Sequence, residues 1–142
     1  MNRKIYSLTL LLLACFLAPA SLLAGEYDGT WVATVTKSSS TCKSIGRALE
    51  GDYTASIRQD EGSTITLTVQ ETGTIFQGIR MQADPRIIQL QASFLREAGI
   101  VSQKINIKMT DENLGSGNAN WDWSDGLMIC GGNYTFTLKR EE

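Results

Sequence analysis

Apolar and polar residues alternate with a period of two along most of the chain. Trp31, Ala33 and Val35 share one face of a first run, with Val32, Thr34 and Thr36 on the other. Tyr53, Ala55 and Ile57 alternate with Thr54, Ser56 and Arg58, and Ile65, Leu67 and Val69 with Thr64, Thr66 and Thr68. Ile105, Ile107 and Met109 alternate with Lys104, Asn106 and Lys108, and Tyr134, Phe136 and Leu138 with Thr135, Thr137 and Lys139. Successive side chains of a strand point to opposite faces. The pattern therefore predicts half-buried antiparallel strands, one face in a core and the other in water. The abundant Thr, Ile and Val suit that surface.

Turn-forming clusters punctuate the runs. Asp60-Glu61-Gly62-Ser63, Glu71-Thr72-Gly73 and Ser124-Asp125-Gly126 are compact enough for hairpins, and 83–85 and 97–99 break the pair between them. Strands are expected at 29–37, 52–59, 64–71, 74–82, 87–95, 100–110, 118–124 and 128–140. The Ser-rich stretch 38–51 reads as a long loop or one short helical turn, and 111–117 as a polar loop. Eight short strands joined mainly by hairpins predict an all-β fold, an eight-stranded antiparallel up-and-down β-barrel. Closure removes the exposed edges, and a Greek-key sandwich would need longer crossovers. A barrel of this size is either filled by its own side chains or holds one small ligand. Trp31, Tyr53, Ile57, Leu67, Ile107 and Phe136 are bulky enough at interior positions to leave both outcomes open.

One segment breaks the alternation. Residues 5–17 are almost wholly apolar, follow Asn2, Arg3 and Lys4, and precede Pro19, Ala20, Ser21 and Ala24. That order predicts a cleaved secretory signal peptide over 1–24. The run falls short of the ~20 residues of a membrane-spanning helix, and Pro19 interrupts it. Leu12-Leu13-Ala14-Cys15 also resembles a lipobox, although Leu13 is bulky and Phe16 and Leu17 continue the apolar run, so lipidation at Cys15 is a second outcome. Cleavage fits after Ala20 or Ala24, and the polar start Gly25-Glu26-Tyr27-Asp28 favours the latter. A single domain over 25–142 is expected, exported to a periplasm or secreted.

Removing the leader changes the chemistry of what remains. Loss of Arg3 and Lys4 takes the net charge from −2 to −4. No basic stripe exists, so nucleic acid is not an expected partner, and a membrane is expected only through lipid on Cys15. Three cysteines become two, Cys42 and Cys130. In an oxidising compartment two thiols pair by default, and two distant cysteines with no His make a poor zinc site. A Cys42–Cys130 disulfide is expected, with no metal and no cofactor.

The absence of His removes the commonest general base and every Ser-His-Asp or Cys-His arrangement. No P-loop, dinucleotide fingerprint or nucleophile elbow is present. Asp122 and Asp125 are a carboxylate pair to weigh for glycosidase chemistry, but turn acids are ordinarily solvated. No catalytic residue is expected. The segment 118–126 concentrates unusual chemistry: Trp121 and Trp123 on one face, Asn120, Asp122 and Ser124 on the other. It reads as a ligand-binding face of stacking rings and hydrogen-bonding groups, or as a terminal hairpin with Trp in the core. Asn118, Asn120 and Asp122 have the spacing of a calcium loop, but Trp123 and Ile129 stand where that loop needs Gly and Glu. Asn133-Tyr134-Thr135 is a formal glycosylation sequon.

Gly29-Thr30-Trp31 opens the first run and Lys139-Arg140 closes the last. Here the chain resembles the calycin group of lipocalins, fatty-acid-binding proteins and avidins. The resemblance implies an eight-stranded meander closed at one end, with Arg140 packed over Trp31 next to Gly29. It rests on these few residues. Other lipocalin motifs, a C-terminal helix and an avidin-type biotin constellation are not evident. The expected function is an exported, non-enzymatic binding protein carrying a small apolar or aromatic ligand. The alternative is a protein-interaction module, such as an inhibitor of a secreted enzyme, working through loops 38–50 and 111–117 on a filled barrel. An enzyme is the third reading.

Overall fold

The alternating runs pair into a closed sheet. The computed structural model describes residues 25–43 and 49–142. The expected signal peptide over 1–24, with Cys15, Ala20 and Ala24, lies outside the described residues, as do residues 44–48. Eight strands follow in order: β1 (Gly29–Ser40), β2 (Gly51–Gln59), β3 (Thr64–Val69), β4 (Ile75–Arg80), β5 (Ile87–Arg96), β6 (Gly99–Met109), β7 (Leu114–Ser124) and β8 (Ile129–Arg140). Each pairs antiparallel with the next, and β8 pairs with β1, so the sheet is a closed barrel with no free edge. Because the strands alternate in direction, the β1–β2, β3–β4, β5–β6 and β7–β8 connections gather at one end. The other three connections, Gly25 and the C-terminus gather at the opposite end.

Two expected loops are partly strand, at Ser38–Ser40 and from Leu114 onward. β1 continues to Ser40 because a bulge between Val35 and Lys37 resets its register against β8, so that Ser38 faces Tyr134 and Ser40 faces Gly132. Gly132 permits this approach, since a Cβ there would fall 1.9 Å from the Ser39 carbonyl oxygen. β7 begins at Leu114, and the connection before it is a tight turn in which the Asp111 carboxylate accepts the N–H groups of Asn113 (2.8 Å) and Leu114 (2.9 Å). The segment lacks a strand signature because its inward positions are Gly115, Gly117 and Ala119. Their missing bulk is occupied by neighbours: a Cβ on Gly115 would sit 2.9 Å from Met109 Sδ, and one on Gly117 2.4 Å from Phe136 Cζ. The ring and the thioether supply the apolar packing that this stretch of β7 does not encode.

The half of the barrel nearer the termini is solid. Trp31, Ile57, Ile65, Ile88, Ile107 and Met109 fill it, and Tyr27 lies buried across the end. The indole N–H of Trp31 donates to the Tyr27 carbonyl at 3.0 Å. Two arginines seal this closed end. The Arg140 guanidinium lies 4.8 Å from the Trp31 ring centroid and donates to the carbonyls of Asp28 (3.2 Å) and Glu26 (2.6 Å). Arg80 lies 4.7 Å from the Tyr27 ring centroid, donates to the Pro85 carbonyl and pairs with Glu26. Each cation therefore meets both a π-face and oxygen acceptors. Gly29 enters β1 at φ +142°, a conformation that side chains rarely adopt. At the far end a disulfide joins Cys42, just beyond β1, to Cys130 on β8, 88 residues apart in sequence.

Candidate functional site

The other half of the barrel is only partly filled: Val101, Trp121 and Trp123 occupy its β6–β7 side, and the rest is open. Its inward positions include Ala33 on β1 and Ala55 on β2, where the closed half has Trp and Ile. Phe136 lies over Gly117 against the wall. The space left is a cavity of about 430 Å³. That is within the ordinary range for small-molecule sites, roughly 300–1,000 Å³. Leu67, Phe76, Ile105 and Leu138 contribute apolar floor and wall, while Leu49, Phe94 and Arg96 stand at the mouth. Of the bulky interior residues, Trp31, Ile57 and Ile107 fill the closed half, whereas Tyr53, Leu67 and Phe136 line the cavity.

A few polar groups interrupt this apolar lining. The Tyr53 hydroxyl donates to the Leu49 carbonyl at 2.9 Å, fixing the chain that returns toward β2. The Tyr134 hydroxyl donates to Gln103 Oε1 at 3.3 Å. Burial, with the nearby Tyr53 adding to it, pushes the Tyr134 phenol up to about 12, so it is neutral at any physiological pH. Gln103 also lines the cavity. The interior wall thus presents neutral hydrogen-bonding groups to a ligand.

The structure divides the residues of segment 118–126. Trp121 and Trp123 are buried at inward positions with Val101, packed beside Phe94, Tyr134 and the Cys42–Cys130 disulfide; they fill part of the open half next to the cavity without lining it. Asn120 and Asp122 are exposed on the outer surface of β7. Alternation along the strand puts the two sets on opposite sides of the sheet, so one interior ligand cannot meet both. Trp123 has a supporting part: its indole N–H donates to the Arg96 carbonyl at 2.8 Å, and its ring occupies the place a Cβ on Gly99 would take, 2.4 Å away. Asp125 accepts the N–H groups of Leu127 and Met128, which hold its carboxyl below the usual carboxylate range; it braces the β7–β8 hairpin. Asn118 lies on the outer face with Asn120 and Asp122, in a strand and not a loop. Among the described residues no group of three or more His, Cys, Asp or Glu is placed to hold a metal. Asn133 is exposed within β8.

Leu49, Phe94, Arg96 and Gln103 carry no motif, and sequence reasoning passed over them. The available signal was negative: small residues at the inward positions of β1 and β2 mark where a barrel is not filled.

No protein-family model matches the chain, and no curated protein matches it. A solved structure described as "Structure of EF1p2_mFAP2b bound to DFHBI" is similar, with 14% sequence identity, coverage of 82% of this chain and 94% of that chain, and a TM-score of 0.39. At so low a score the likeness adds nothing to what the strand pairing of this chain already shows.

Proposed function

We propose that this chain is an exported, non-enzymatic binding protein of the calycin type, which carries one small, mainly apolar ligand in the open half of its barrel. The observation that supports this is the cavity: about 430 Å³, apolar in most of its lining, backed by a solid closed end. An interior filled throughout would have been more stable, since each unfilled volume forgoes packing. Export rests on the N-terminal sequence alone. Native mass spectrometry of the protein purified from its own host tests the reading. The expected result is an added mass, lost in organic solvent. A clean chain mass turns the reading toward its alternative.

That alternative, a protein-interaction module, has one observation in its favour. Leu95, Ile100 and Ile129 lie on the outer face in a single cross-strand row through Ser124, beside Leu127 and Met128 of the β7–β8 hairpin. All five are more than half exposed, with Leu127 at 94%. Such an apolar patch is larger than scattered surface residues produce. The two candidate loops do not form one surface. The β1–β2 connection lies at the open end, and the β6–β7 turn at the closed end.

A further inference from the structure

Three arginines occupy inward-facing positions of the barrel, and they are not treated alike. Arg80 and Arg140, at the closed end, each lie over an aromatic ring and donate to oxygen acceptors. Arg96 is the inward position at the end of β5, two residues beyond Phe94, and lines the cavity mouth. Among the described residues its guanidinium has no carboxylate, carbonyl or ring partner. The other described arginines, Arg58 and Arg86, are paired with Asp60 and Asp84.

The surroundings of Arg96 are built. Its carbonyl is held by the Trp123 indole. Opposite it in the register is Gly99, whose missing side chain gives room to the Trp123 ring. The turn that follows places Glu97 (φ +48°) and Ala98 (φ +61°) in the left-handed region, where side chains other than Gly and Asn are uncommon. The backbone beneath Arg96 is thus fixed from both sides. Five N–H donors stand at the rim of a cavity whose interior offers only neutral polar groups.

We propose that Arg96 holds the anionic head of an amphipathic ligand, a carboxylate or sulfonate, whose apolar body occupies the cavity. This rests on the reading of the cavity as a ligand site. An anion would be costly deep in the barrel, where no cation lies against it. At the mouth it keeps part of its hydration and gains a charge-assisted contact.

A matched pair of dyes tests the proposal on the purified protein: 1-anilinonaphthalene-8-sulfonate, and N-phenyl-1-naphthylamine, the same ring system without the sulfonate. At low salt the sulfonate is expected to bind about tenfold more tightly, and Arg96→Gln to reduce that preference to within about twofold, with Arg96→Lys retaining part of it. Equal binding of the two dyes by the unaltered protein overturns the proposal and leaves the cavity reading intact. A preference that survives Arg96→Gln overturns the assignment to Arg96. Failure of both dyes to bind removes the cavity reading itself, and the proposal with it.

Discussion

Tyr134 shows how much one buried phenol can set. Its hydroxyl is committed to Gln103, and burial raises its pKa to about 12 against roughly 10 for an unfolded chain. Below about pH 10 both states keep the proton and the stability is fully present. Between about pH 10 and pH 12 the unfolded chain releases a proton that the fold retains, so stability falls as pH rises, by on the order of 2 kcal/mol from this group. Tyr27 is raised as well, by burial and then by the charge of Glu26, and it adds to the same alkaline loss. Urea denaturation across that range is expected to show the fall, and Tyr134→Phe to remove its own share. A pH profile unchanged by Tyr134→Phe would refute the assignment. At this scale the sequence was informative about which side chains face inward and silent about the space between them. Tyr53 and Phe136 read equally well as core filler or as cavity wall. That the Phe136 ring takes the space beside Gly117 depends on two strands at once.

Among the elements, the β5–β6 hairpin is the most strained. A two-residue turn with both residues left-handed is normally Asn-Gly, and here it is Glu97-Ala98. Ala98→Gly is expected to raise stability by about 1 kcal/mol, because glycine takes positive φ without the Cβ clash. Thermal unfolding at fixed pH checks this; a lower midpoint would mean that the methyl group contributes contacts that outweigh the strain. Strand existence was legible from period-two alternation, and all eight strands lie where the runs predicted them. Their limits were less legible where pairing depends on a partner. β1 runs past its alternating stretch because a bulge and Gly132 let β8 follow it, and the inward positions of the first half of β7 are Gly115 and Gly117, with no bulk to announce a strand. The candidate site suffered most from this. Trp121 and Trp123, conspicuous in the sequence, are packed core beside the cavity, whereas Arg96 and Gln103, which line it, had no pattern to mark them.

Over the whole molecule, the Cys42–Cys130 bridge ties the β1–β2 connection to the start of β8 across most of the described chain. Replacing both cysteines with Ser is expected to cost about 2–4 kcal/mol, mainly by freeing the unfolded chain, while far-ultraviolet circular dichroism still reports the barrel. Alkylation of the folded protein without reductant is expected to label neither thiol; labelling of both would show that the bridge does not form. The solid end and the hollow end also divide the molecule's labour. Packing of Trp31, Met109 and the isoleucines supports the fold below, so the space above can remain unfilled. Gly25 and Glu142 both lie at the solid end, on the side away from the mouth. The barrel therefore has a built-in handle. A reporter fused after Glu142, or a surface coupled through Gly25, would leave the opening unobstructed.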